Sequence, residues 1–211
     1  LGSAFLREKW TRGLGTVDDV ERLLGRDFLN SVPTLASSIE KPKTQDPIEA
    51  ILLHPLSAFA EAFRNLATSL TFAAKPKTGK IIGITSALPK EGKTTTSIGI
   101  ARVLAAAGQK VALVDADLRR RSVTETLFPE TELGMIQVLA GDATLNHALI
   151  RDQSGVMVLP LAPNAHLGAM PFDSPAFESV IRALRAQFDV IIFDTAPVLA
   201  VTDTRILLHH F

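Results

Sequence analysis

The sequence of 211 residues has no cysteine, no excess of either charge, and no apolar run long enough to matter to a bilayer. Without cysteine there are no disulfides, no thiolate nucleophile and no cysteine-based zinc site. Lysine plus arginine and aspartate plus glutamate balance at 22 each, so the chain lacks the overall basic field of a dedicated nucleic-acid binder, and no nucleic-acid partner is expected. A spanning helix needs about 18 consecutive apolar residues, and the sequence offers none; nor does its start read as a signal peptide. What is present is the composition of a folded protein, 46% apolar and 21% charged. The length suits one domain with a short appendage.

Residues 1–30 open with Phe5, Leu6 and Trp10 among Arg7, Glu8 and Lys9, an interfacial mixture. Thr16, Asp18 and Asp19, then Val17, Val20, Leu23 and Leu24 at helical spacing, then Gly25, predict a short capped helix. Residues 28–32 could form a strand, and residues 33–47 have the Pro, Ser, Lys and Thr mixture of a linker. This divides the chain into residues 1–46, an N-terminal segment and linker, and residues 47–211, a folded domain. From Pro55 onward, apolar residues at 56, 59, 63, 66 and 70 predict a helix with one buried face. Short apolar runs at residues 81–85, 111–114, 156–159 and 190–193 alternate with helical segments such as 95–107 and 175–187. That alternation predicts an α/β fold, a mostly parallel sheet with helices on both faces.

The segment Ala87-Leu88-Pro89-Lys90-Glu91-Gly92-Lys93-Thr94-Thr95 joins the first predicted strand to a helix, and it nearly fits G-x-x-x-x-G-K-S/T, with Ala87 at the first glycine. Backbone amides at a helix N-terminus converge on phosphate oxygens there. Gly92 permits close approach, Lys93 brings a point charge to phosphate, and the Thr94 hydroxyl suits Mg²⁺. Asp115 and Asp117 end one apolar strand, and Asp194 ends another, at the edge where open α/β sheets bind ligands. A phosphate cradle, hydrated Mg²⁺ and carboxylates able to accept a proton are the parts of phosphoryl transfer.

Together, residues 87–94, 111–119 and 190–197 resemble the Walker A, Walker A′ and Walker B motifs of the bacterial tyrosine kinases that work with membrane regulators of capsular and exopolysaccharide chain length. Pro89-Lys90-Glu91-Gly92-Lys93-Thr94-Thr95 looks like that family's P-x-E-G-K-S/T-T loop, and Asp115-Ala116-Asp117-Leu118-Arg119-Arg120 like its D-A-D-x-R-x stretch. Glu61-Ala62-Phe63-Arg64 is similar to the start of its E-x-x-R-x-x-R helix, and residues 5–25 resemble the segment that leaves its second transmembrane helix. The resemblance implies a P-loop NTPase-like kinase domain using ATP and Mg²⁺ at the cytoplasmic face of the inner membrane. It implies that Pro89 to Thr95 bind nucleotide and that Lys93 contacts phosphate. Thr94 would bind the metal, Asp117 and Asp194 would hold its waters, and Asp115 would be the base for a tyrosine hydroxyl, with Asp115 and Asp117 able to exchange roles. The implied partners are a membrane chain-length regulator, fused upstream or separate, a tyrosine-containing acceptor, and further copies of the chain joined through the Glu61/Arg64 helix.

Four departures qualify the match. The chain has no tyrosine, so it cannot be its own tyrosine substrate, and it lacks the strand expected after the helix near Asp203, which suggests a C-terminally incomplete domain. Ala67 replaces the second arginine of the assembly helix, and Ala196 replaces a proline after Asp194. A nucleotide-gated assembly module, or a partition-type ATPase, is the alternative. The related partition ATPases, however, carry a second lysine where this chain has Leu88. Arg119-Arg120-Arg121 could meet phosphate or an acidic acceptor, although a solvated face is the plainer reading beyond Arg119. The five histidines show no metal-ligand spacing and are read as surface or structural.

Overall fold

A computed structural model describes residues 17–72, 79–162, 172–199, 203–207 and 210. The expected α/β sheet is there. Five strands, β1 (Lys80–Ile84), β2 (Val111–Ala116), β3 (Ile150–Arg151), β4 (Met157–Leu159) and β5 (Val190–Thr195), lie in the order β1-β5-β2-β4-β3. All neighbours are parallel except the β3–β4 pair at one edge.

Alternation along the central strands separates two cores. Val111 and Leu113 of β2, with Val190 and Ile192 of β5, enter one core; Ala112, Val114 and Ala116, with Ile191 and Phe193, enter the other. The first core is closed by α3 (Pro47–Leu53), α4 (Ala58–Phe72), α5 (Lys93–Ala106) and Val123 of α6 (Ser122–Leu127). The second is closed by α7 (Met135–Ala140), α8 (Leu145–Ala148), α9 (Pro175–Gln187) and α10 (Asp203–Leu207). Helix α4 lies close on α5 because Gly99 has no side chain: a Cβ there would come within 2.6 Å of the Phe63 ring.

The chain divides into two compact units at Ser31/Val32. The first contains α1 (Val17–Leu24), the short helix expected there, closed by Gly25 at φ +59°; the proposed cap Thr16 and the interfacial residues Phe5, Leu6 and Trp10 lie outside the described residues. Two expectations are corrected. Residues 28–32 form no strand: they pair with nothing in the sheet, and Pro33, which has no N–H to donate, ends the run. Leu56 does not join the buried face of α4, because the helix begins only at Ala58 and leaves Leu56 94% exposed. The linker-like stretch is also more ordered than its composition predicts. Thr34 caps α2 (Leu35–Ser38), and Asp46 caps α3 by accepting the Ile48 N–H at 2.9 Å, with Pro47 in the first turn.

Candidate active site

Strand alternation carries two acids to one place. Counting on from Leu113 and Ile192, Asp115 and Asp194 point to the α5 side of the sheet, and the two residues are direct partners in the β2–β5 register. Both are buried. Helix α5 supplies the opposing groups. Thr94 Oγ1 donates to Asp194 Oδ2 at 2.8 Å, and Ser97 Oγ lies 2.9 Å from Asp194 Oδ1 and 3.0 Å from the Lys93 carbonyl oxygen. Asp115 Oδ2 accepts the Thr124 N–H at 2.9 Å and its hydroxyl at 2.7 Å, while Oδ1 accepts the Asp117 N–H at 3.3 Å. Thr124 Oγ1 in turn accepts the Leu161 N–H at 2.8 Å, so Asp115 anchors both α6 and the backbone beyond β4. Asp117, also buried, accepts the N–H groups of Arg119 and Arg120 on Oδ1 at 3.2 and 3.1 Å.

Burial sets the electrostatics of this cluster. It pushes the Asp115 carboxyl up to about 7, against the hydrogen bonds from Thr124, with the Asp194 charge adding to the rise. Burial likewise raises Asp194 to about 6, opposed by the hydroxyls of Thr94 and Ser97 and by the charge of Lys93. Among the described residues no three His, Asp or Glu side chains converge as a direct ligand set for a metal. A divalent ion here would therefore take the Thr94 hydroxyl and meet the carboxylates through its waters, as Mg²⁺ commonly does.

The loop between β1 and α5 is shaped for an anion. Gly92 is left-handed, at φ +86°, and begins α5 without a side-chain cap; Lys90 is also left-handed, at φ +68°. The first helical bond runs from the Thr96 N–H to the Gly92 carbonyl, so the Lys93, Thr94 and Thr95 amides have no acceptor within the helix. Glu91 closes the loop by accepting the Leu88 N–H at 2.9 Å, and Ser86 ties it to the chain after β5 by accepting the Val198 N–H at 3.0 Å. Pro89, Lys90, Glu91 and Gly92 are exposed, Thr94 and Thr95 half-buried, and Lys93 buried. These residues fit a polyphosphate: free amides, one cation and room where a side chain would stand.

The remaining candidates are placed as follows. Arg64 turns back on its own helix, pairing with Glu61 and donating to the Pro55 carbonyl. Arg121 pairs with Glu125, while Arg119 and Arg120 are exposed. His54 accepts the Lys43 N–H at 2.8 Å, a structural role, and Asp203 begins α10. Ser97 and Thr124 were not singled out in the sequence. Ser97 had a signal, since it stands three residues after Thr94 and so on the same helix face. Thr124 had none, because its partners lie 9 and 37 residues away.

A profile of the AAA domain family matches residues 79–209. Tyrosine-protein kinase YwqD of Bacillus subtilis is 35% identical over 157 residues, which cover 74% of this chain and 66% of that one. The succinoglycan biosynthesis transport protein ExoP of Rhizobium meliloti is 32% identical over 155 residues, covering 72% of this chain and 20% of that one. Among solved structures, the kinase domain of the Escherichia coli tyrosine kinase ETK superposes with a TM-score of 0.78 at 28% identity, covering 92% of this chain and 78% of that one. The chain thus spans two thirds or less of the curated relatives just named.

Proposed function

The chain belongs to the AAA domain family, and on that premise we propose that it is an ATP-dependent protein-tyrosine kinase domain that regulates exopolysaccharide polymerisation and export. The observation that carries the reading is the pairing of Asp115 with Asp194 on the α5 side of the sheet, with Thr94 and Ser97 hydrogen-bonded to Asp194. The names and folds of the relatives support it, and ExoP's name supports the link to polysaccharide export.

When bound, Mg·ATP would supply the transferable γ-phosphoryl group and a divalent charge. The chain's own groups would do the rest. The amides of Lys93, Thr94 and Thr95 and the Lys93 ammonium would hold phosphate oxygens, and the exposed Pro89-Lys90-Glu91-Gly92 turn would wrap them. Thr94 Oγ1 donates to Asp194, which would leave its lone pairs for the metal, and Asp117 and Asp194 would hold the metal's waters. Asp115 or Asp117 accepts the proton of the acceptor tyrosine. Burial raises the proton affinity of Asp115 toward neutrality, which suits a base, and Thr124 would have to release Oδ2 for the tyrosine to reach it. The domain works at the cytoplasmic face of the inner membrane with a membrane chain-length regulator, and self-assembly runs through α4, where Arg64 must leave Glu61 to reach a neighbour.

The test follows the label of γ-labelled Mg·ATP into a tyrosine-containing polymer, with Lys93→Met as the blank. Label on acceptor tyrosine that is lost in the blank is the expected result. Label that stays in ATP or is released only as inorganic phosphate favours the nucleotide-gated assembly module, which the absence of tyrosine from the chain motivates. ATP affinity and turnover unchanged in Lys93→Met would overturn the site itself.

A further inference from the structure

The turn after β2 carries a feature that the phosphate cradle does not use. The Asp117 carboxylate accepts the backbone N–H groups of both Arg119 and Arg120, which fixes the turn against the cluster of acids. Both side chains are exposed, and among the described residues neither has a carboxylate partner, a condition they share with Arg26, Arg151, Arg185 and Arg205 but not with Arg22, Arg64, Arg102, Arg121 and Arg182. Two exposed arginines thus follow the carboxyl end of β2, in the turn that Asp117 holds.

The charges nearby make this placement consequential. Asp115, Asp117 and Asp194 gather at this end of the sheet, and the negative charge that they carry when ionised disfavours an acidic acceptor unless cations stand nearby. Lys93 and the loop amides are assigned to phosphate in the kinase reading. The two free arginines lie outside that group, and a guanidinium matches a carboxylate in planar, bidentate geometry. We propose that Arg119 and Arg120 read acidic side chains on the acceptor, so that the substrate class is a tyrosine flanked by aspartate or glutamate. This inference rests on the kinase reading and names its substrate class.

The test uses two fluorescent peptides, identical except for glutamate or glutamine on either side of a single tyrosine, binding to the full chain in Mg·ADP. The glutamate peptide is expected to bind about tenfold more tightly at low salt, two exposed charge pairs being the source. Added salt should erode that advantage. The double variant Arg119→Gln/Arg120→Gln should bind both peptides alike while keeping its Mg·ADP affinity. Equal or undetectable binding of the two peptides by the unaltered chain overturns the proposal, as does a preference that survives in the double variant. A fall in Mg·ADP affinity instead would assign the arginines to the nucleotide phosphates. If the double variant melts at a lower temperature, Arg120→Gln alone carries the test, with loss of about half the preference expected. Failure of the kinase reading appears separately, as a preserved glutamate preference without phosphate transfer.

Discussion

Asp194 is held at both oxygens, and the two contacts are not equivalent. Thr94 has a second task at the metal in the proposed mechanism, but Ser97 is fully buried and hydrogen-bonds to Asp194 and the Lys93 carbonyl. On that mechanism Ser97 is a positioning residue: it would keep the carboxylate from rotating when Thr94 engaged the ion. Replacing it with alanine removes a hydrogen bond to a charged group, a loss of about 1.5–3 kcal/mol. Ser97→Ala is expected to raise the Mg²⁺ concentration for half-maximal turnover severalfold, with nucleotide affinity in the absence of metal unchanged and Ser97→Thr recovering part of the effect. A magnesium titration of turnover for the three proteins checks this. An unchanged magnesium requirement would make the serine a packing group only.

Helix α3 is tied to α5 by a buried charge. Arg102 Nε donates to Asp152 Oδ2 at 3.0 Å and Nη1 to the Ile48 carbonyl at 2.7 Å, with both charged side chains almost wholly enclosed. Truncating one partner strands the other in the interior, at about 3–5 kcal/mol. Arg102→Met should lose stability of that order in urea unfolding, and adding Asp152→Asn should restore part of it, a non-additivity that two independent sites would not show. No sequence pattern announces this pair, because its members are 50 residues apart. The same reasoning separates what was legible from what was not. The buried strands were legible because β2 and β5 are covered on both faces and so read as unbroken apolar runs. Helix α9 was legible because Ser174 and Pro175 mark its start. Strand β3 was not, since two residues carry no period. Helix α3 did carry a signal, Asp46-Pro47, but the surrounding linker composition hid it. Of the candidate site, the phosphate loop and three acids followed from spacing, whereas the Thr124 and Leu161 contacts required the sheet to be assembled first.

The unit from Val32 onward stores a charge conflict in its centre. Asp115 and Asp194 bind protons more tightly folded than unfolded, at about 7 and about 6. As pH rises above the ordinary carboxylate range, the unfolded chain loses these protons first, so the stability that they contribute falls with rising pH and is gone above the folded values. The metal-free protein is therefore expected to melt lower at pH 8 than at pH 5. Asp194→Asn, whose amide can still bond both hydroxyls, should flatten that slope and raise the melting temperature at pH 8 while abolishing phosphate transfer. Thermal melts without Mg²⁺ at the two pH values decide it, and a steeper slope in Asp194→Asn would contradict it. Strand order has a consequence for biogenesis as well. The strand that carries Asp194 is the last of the five along the chain, yet it lies between β1 and β2, which do not pair with each other. A ribosome that has not yet released residues 190–195 holds a chain with a slot where the middle of the sheet belongs. On the kinase reading, competence for nucleotide chemistry would then arrive in one late event, when that strand fills the slot, and an immature chain would not hydrolyse or transfer phosphate out of turn.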